Sequence, residues 1–115
     1  MTIEGIQAIC LGFPGVTEDI KWEDRLAFSV CDKMFVITVP DEVPVRASFK
    51  ATEEEFEALI NREGIQPSQF LGKHKWVRVD DINVLSKKEW MYYIGESYRL
   101  IASKLPAKKR KELGL

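Results

Sequence analysis

Residues 25–40 read RLAFSVCDKMFVITVP. Leu26, Phe28 and Val30 alternate with Ala27, Ser29 and Cys31, the period-two pattern of a strand. Met34 to Val39 is rich in β-branched and aromatic residues, which suits a second strand. Asp32-Lys33 between them predicts a tight turn, so the stretch reads as a β-hairpin. Pro40 stops it, because proline cannot donate to a ladder. Strands joined this closely run antiparallel. The fold then depends on what else pairs with the hairpin and what covers it.

Upstream, Glu18 to Trp22 is a short extended piece. Before it, Ile3, Ile6, Ile9, Cys10 and Phe13 recur at helical spacing. Thr2 can cap that helix, and Gly12, Pro14 and Gly15 end it, so it covers about residues 2–12. Downstream, Asp41-Glu42-Val43-Pro44 is a loop and Val45 to Lys50 a further strand. Thr52-Glu53-Glu54-Glu55 has the spacing of a capping box, followed by an apolar face of Phe56, Leu59 and Ile60 and by Gly64 as terminator. The three glutamates sit where the helix dipole is positive, which makes them helix-start chemistry rather than a metal site. Lys75 to Asp81 alternates again as a strand. Ser86-Lys87-Lys88-Glu89 is a second capping box, with Leu85 and Trp90 at the two staple positions. The long helix that follows carries Trp90, Ile94, Ser97, Ile101 and Leu105 along one stripe, with Tyr93, Tyr98 and Leu100 beside it, until Pro106. The order α-β-β-β-β-α-β-α is α+β: one domain over residues 1–115, an antiparallel sheet of about four to five strands with helices packed on it.

A chain of 115 residues, 45% hydrophobic and 30% charged, has an ordinary globular composition and buries a core without metal or disulfides. Cys10 and Cys31 lack a paired or metal-ligand spacing and read as free thiols. Met1-Thr2-Ile3-Glu4 lacks the basic start and apolar run of a signal peptide, and no apolar stretch approaches the length that spans a membrane. The expectation is a cytoplasmic protein without membrane contact, and a monomer fits the size and the capped helices. The net charge of -1 hides an uneven distribution. Residues 1–65 hold 6 Lys/Arg against 13 Asp/Glu, and residues 66–115 hold 11 against 5. Such asymmetry suits an acidic or nucleic-acid partner, or two solvated faces of one fold.

Residues 73–80, KHKWVRVD, gather the single histidine with three basic residues and a tryptophan. Read as a strand beginning at His74, the segment puts His74, Trp76, Arg78 and Asp80 on one face. Lys75, Val77, Val79 and Asp81 fall on the other, and Val77 and Val79 make the core-facing pair. One reading is structural, with Trp76 packed under a helix or loop. The other is a contact patch, with Trp76 as a stacking surface and Lys73, His74, Lys75 and Arg78 beside it. A second basic run, Lys108, Lys109, Arg110 and Lys111, follows Pro106. No phosphate loop, dinucleotide fingerprint or nucleophile elbow occurs. Neither cysteine carries a sign of activation, and adjacent acids such as Glu18/Asp19 and Glu23/Asp24 are ordinary solvated pairs. No catalytic set, metal site or cofactor is assigned.

Several motifs in order carry a family resemblance. They are Gly15-Val16-Thr17-Glu18-Asp19-Ile20-Lys21-Trp22, Lys33-Met34-Phe35, Ser48 to Phe56 (SFKATEEEF), Lys73 to Val79, and Ser97 to Arg110 (SYRLIASKLPAKKR). Together they resemble the MmcQ/YjbR family of small bacterial proteins over nearly the whole chain. The resemblance implies a YjbR-like fold, similar to the CyaY and secretion-chaperone types, and a double-wing DNA-binding role. It supplies no catalytic set. Matching positions Trp22, Lys33, Phe35, Lys50, His74, Trp76, Ser97 and Tyr98 are candidates. Two expectations follow: DNA binding through the basic runs, or a protein- or small-ligand-binding module on the open sheet face, where Trp22, Lys33 and Lys50 join Trp76 and Arg78. An enzyme is the weakest reading, and His74 is its only anchor.

Overall fold

The computed structural model describes residues 1–69 and 71–115. The elements run α1 (Ile3–Leu11), β1 (Val16–Lys21), β2 (Arg25–Val30), β3 (Lys33–Val39), β4 (Arg46–Lys50), α2 (Glu53–Leu59), β5 (Ile65–Pro67), β6 (Trp76–Val79), α3 (Lys87–Ala102) and α4 (Ala107–Glu112). A 3-10 turn, Gly72–His74, links β5 to β6. The six strands form one antiparallel sheet in the order β1-β2-β3-β4-β6-β5. The α+β architecture is as expected, with β5 and α4 in addition. Three residues ending in proline offer too little periodicity for β5 to be seen in sequence. The long helix ends at Ala102, short of the expected stop at Pro106, which instead serves as the N-cap of α4, where its missing backbone donor costs nothing.

The β2–β3 hairpin turns on Cys31-Asp32, one residue earlier than predicted. Both residues adopt positive φ, 47° and 65°, the left-handed pair that joins twisted strands tightly. The register then slips: Phe28 pairs with Val36, but Ser29 pairs with Met34. Phe35 is therefore the extra residue of a bulge.

Helices cover one face of the sheet. Phe28, Val30, Val36, Phe49, Val77 and Val79 meet Ile6 and Cys10 of α1, Phe56 and Leu59 of α2, and Trp90, Ile94 and Tyr98 of α3 in one core. The Val77/Val79 expectation holds, since both are wholly buried. Both predicted N-caps of the later helices form. Ser86 closes the full reciprocal box with Glu89. Thr52 accepts from the Glu55 N–H, but Glu55 takes its bond from the Thr52 hydroxyl rather than from its backbone. Trp90 is fully buried, its ring edge-on to Phe49 at 5.7 Å, and its indole N–H donates to the Ile82 carbonyl at 2.8 Å.

Ser97 joins α3 to the sheet. Its hydroxyl donates to the carbonyl of the bulged Phe35 at 2.6 Å and accepts from the Lys50 N–H at 3.0 Å. The last β3–β4 pair is Val36 with Phe49, so a helix side chain extends the ladder where the strands stop exchanging bonds. Phe35, Ser97 and Tyr98, all positions that carry the family resemblance, form one packed unit: Tyr98 stands edge-on to Phe35 at 5.4 Å.

Candidate functional site

Among the described residues no α-helix packs on the other face of the sheet, and register fixes what it displays. One row crosses all six strands: Asp19, Ala27, Ile37, Ser48, Arg78 and Gln66. The adjacent row places Val39 beside Arg46. Of these, Ile37, Ser48, Arg78, Val39 and Arg46 floor a groove of about 670 Å³. Its walls are the β1–β2 turn, with Trp22, Asp24 and Arg25, and the segment after β5, with Ser68, Gln69 and Leu71. A volume of this size suits a small ligand or a few residues of peptide.

Three arginines, Arg25, Arg46 and Arg78, line the trough together with the apolar Met34, Ile37, Val39 and Leu71. Each is held by one carboxylate from a neighbouring turn or strand end. Arg46 Nε lies 3.0 Å from Glu42, Arg78 Nε 2.9 Å from Asp80, and Arg25 Nη1 2.6 Å from Asp24. For Arg46 and Arg78 the bond uses Nε, so the forked Nη end has no hydrogen-bond partner among the described residues. That end matches a carboxylate or phosphate two bonds at a time.

Trp22 is the exposed indole of the protein. It is 66% exposed at the tip of the β1–β2 turn, with φ at 50°. Left-handed backbone is costly for a bulky side chain, and core packing does not offset that cost at this position. Trp76, by contrast, is 6% exposed. It lies on the open face opposite Lys50, and the segment before it folds back, with Ser68 N–H bonding the Trp76 carbonyl at 3.0 Å. The packed reading of Trp76 describes its place, and its ring offers no free stacking surface.

The sequence-derived candidates fall into four places. Trp22 and Arg78 belong to the groove. Lys73 and His74 lie on the 3-10 turn, not in a strand, and Lys75 closes that turn in left-handed backbone at φ 66°. The strand starts at Trp76, so His74 does not share its face as the alternation predicted. Lys75 Nζ instead sits 4.9 Å over the Phe56 ring on the helix side. Lys50 donates to the His74 carbonyl at 2.6 Å, and burial, then the charge of Lys104, pushes its pKa down. Lys33 is exposed beside the β2–β3 turn. Lys108, Lys109, Arg110 and Lys111 lie on α4, whose following Leu113 is seated on Gly15 at the start of β1. Gly15 has φ at 72°, and a Cβ there would run into Leu113. β1 and β6 are four strand spacings apart, about 19 Å. The structure therefore separates the two basic runs that sequence alone placed in one half.

Arg25, Arg46 and Ser48 were not singled out from sequence. Arg46 and Ser48 alternate with the buried Ala47 and Phe49, which marks them as open-face residues. Their meeting with Arg78 depends on β4 pairing with β6 across α2 and β5, which no local pattern encodes. Burial pushes the Cys10 thiol up, so it stays protonated within the core. Among the described residues no three His, Cys, Asp or Glu side chains gather as a metal site. No described helix is long and apolar enough to cross a membrane.

The Deinococcus radiodurans protein DR2400, described by the domain label DUF419, is similar to this chain. The two are 28% identical at a TM-score of 0.88, over 99% of this chain and 88% of that one. A Pseudomonas syringae protein is 24% identical at a TM-score of 0.62, over 75% of this chain and 86% of its own, and shares the fold. No curated protein matches. The profile of the YjbR family matches residues 11–100, from the end of α1 to within α3. By this match, and with the six-stranded sheet it spans, the chain belongs to the YjbR family.

Proposed function

We propose that the protein is a non-enzymatic binding module whose open-face groove receives an anionic ligand with an apolar or aromatic body. One observation carries this reading: an exposed Trp22, held in left-handed backbone, overhangs an apolar floor ringed by Arg25, Arg46 and Arg78. An indole offers the ring face, and the arginines supply charge-assisted hydrogen bonds. The aromatic sulfonate 8-anilinonaphthalene-1-sulfonate is a suitable probe. The folded parent is expected to bind it saturably with a rise in fluorescence. Arg46→Ala/Arg78→Ala weakens binding by about tenfold or more, since each lost charge-assisted bond is worth over about 1.4 kcal/mol. Trp22→Ala weakens it by about three- to tenfold. A parent that does not bind, or variants with native circular dichroism that bind like the parent, overturn the reading.

A second reading is nucleic-acid binding. Its support is the gathering of Lys50, Lys104 and the Lys73–His74–Lys75 turn at one end of the sheet, close enough that Lys104 affects the Lys50 ammonium. Phosphate contacts of this kind weaken steeply as salt rises, through counterion release. Fluorescence anisotropy with labelled double- and single-stranded DNA at low and near-physiological salt tests it. Lys73→Ala/Lys75→Ala/Lys104→Ala leaves the groove intact and is expected to abolish binding. A parent that binds neither DNA at low salt removes this reading and leaves the groove untouched.

A further inference from the structure

We infer that the groove, taken as the anion-binding site proposed above, is built for a small organic dianion gripped at its two ends by Arg46 and Arg78. The two residues stand on adjacent strands, β4 and β6. Arg78 pairs with Ser48, two residues from Arg46, so the arginines are diagonal neighbours on one face. Such neighbours have their backbones about 7–8 Å apart, which leaves room for two separate acceptor groups, one at each fork.

Each fork is aimed independently. Glu42 takes the Nε of Arg46 and Asp80 the Nε of Arg78. Gln66 steadies Asp80 from β5, its amide donating to both carboxylate oxygens at 3.0 Å. The carboxylates thus hold the stems and leave both Nη ends presented. Between the two forks the surface is Ser48, with the apolar Ile37 and Val39 beside it. This is a floor for a flat or aliphatic body and not for a third charge. The groove of about 670 Å³, with the Trp22 turn in its wall, has the size for a compact molecule.

Glu42 and Asp80 already offset the charge of the two guanidinium groups, so a dianion gains from the free Nη fork at each of its ends while the apolar floor takes its body. A monoanion of the same ring satisfies one fork and leaves the other as it was. The occupant is therefore distinguished by its charge number at constant shape.

Isothermal titration calorimetry in about 0.15 M salt with naphthalene-2,6-dicarboxylate and with 2-naphthoate isolates that difference. The parent is expected to bind the dicarboxylate at least about tenfold more tightly, the gain of one further charge-assisted fork. Arg46→Ala and Arg78→Ala, each checked for native circular dichroism, are each expected to bring the dicarboxylate down to the level of the monocarboxylate. Lys109→Ala on α4 removes the same unit charge elsewhere and is expected to keep the advantage. Equal binding of the two compounds by the parent overturns the dianion clamp while leaving a single-anion groove. An advantage that survives both arginine variants, or falls equally in Lys109→Ala, assigns it to net charge and also overturns the clamp. If neither naphthalene compound binds, the clamp fails, and the sulfonate probe decides separately whether the groove itself stands.

Discussion

Trp90→Ala is expected to lower the stability of the protein by about 4 kcal/mol, the usual range for removing a fully buried large aromatic side chain. Trp90 is wholly buried at the second turn of the longest helix, edge-on to Phe49 in the centre of the sheet. Two losses coincide. The cavity opens where α3 rests on β4, and the Ile82 carbonyl loses its indole donor at 2.8 Å. A buried carbonyl left without a partner costs about 1–3 kcal/mol, partly contained in the figure above because the two effects share one site. Against a total stability of roughly 5–15 kcal/mol, the variant sits close to the unfolding threshold. With a urea slope near the middle of the usual range, the midpoint falls by about 2 M. Trp90→Phe separates the contributions: it keeps a ring against Phe49 and loses the donor, and is expected to fall between parent and alanine. Trp22→Ala serves as the control, since an exposed residue away from the core changes stability by about 0.5 kcal/mol or less. An alanine variant within about 1 kcal/mol of the parent contradicts a core centred on Trp90 and Phe49.

The parts of the fold legible in the sequence are those that local physics dictates. Alternation along Leu26 to Val39 marked the central hairpin, because one buried face forces a period of two. Thr52 and Ser86 marked helix starts, because orphan backbone donors need a side-chain acceptor. The misses have physical reasons of the same kind. The hairpin turn moved from Asp32-Lys33 to Cys31-Asp32 because the bulge at Phe35 absorbs one residue, and nothing in residues 31–36 announces it. His74 was placed on a strand because Lys73 to Asp80 alternates. The chain there instead winds a 3-10 turn closed by a left-handed Lys75, a residue type that gives no such signal.

The groove shows the same boundary. Trp22 was singled out, but its left-handed conformation runs against its side chain and has no local cause in Lys21 to Asp24. The arginines come from three separate strands, and Arg46 and Arg78 meet only because β6 inserts between β4 and β5. A basic count over residues 66–115 pointed to the second half of the chain, yet it could not show that α4 is seated against the start of β1 while the Lys73–Lys75 turn lies across the sheet. Charge along a sequence and charge across a surface are different quantities when the sheet order departs from the chain order.

Ser97→Ala is expected to cost about 2 kcal/mol, although it removes a single oxygen. Measured by cavity alone the change is minor, and a simple packing account predicts a loss below about 1 kcal/mol. The larger figure follows from what the hydroxyl does. It is fully buried and satisfies two backbone groups at once, the Phe35 carbonyl at 2.6 Å and the Lys50 N–H at 3.0 Å. The bulge takes Phe35 out of the ladder with β2, and β3–β4 pairing stops at Val36 and Phe49, so no neighbouring strand replaces the lost partner. Urea unfolding gives the magnitude, and amide hydrogen exchange gives the place: the Lys50 N–H is expected to exchange faster in the variant than the drop in global stability accounts for. A loss of about 0.5 kcal/mol or less, with Lys50 still protected, means that the strand ends close on each other without the helix, and Ser97 is then packing and nothing more. A loss near 2 kcal/mol confined to that end makes α3 a working part of the sheet, the part that sets the β3–β4 spacing from which Ile37, Ser48 and Arg46 face the groove.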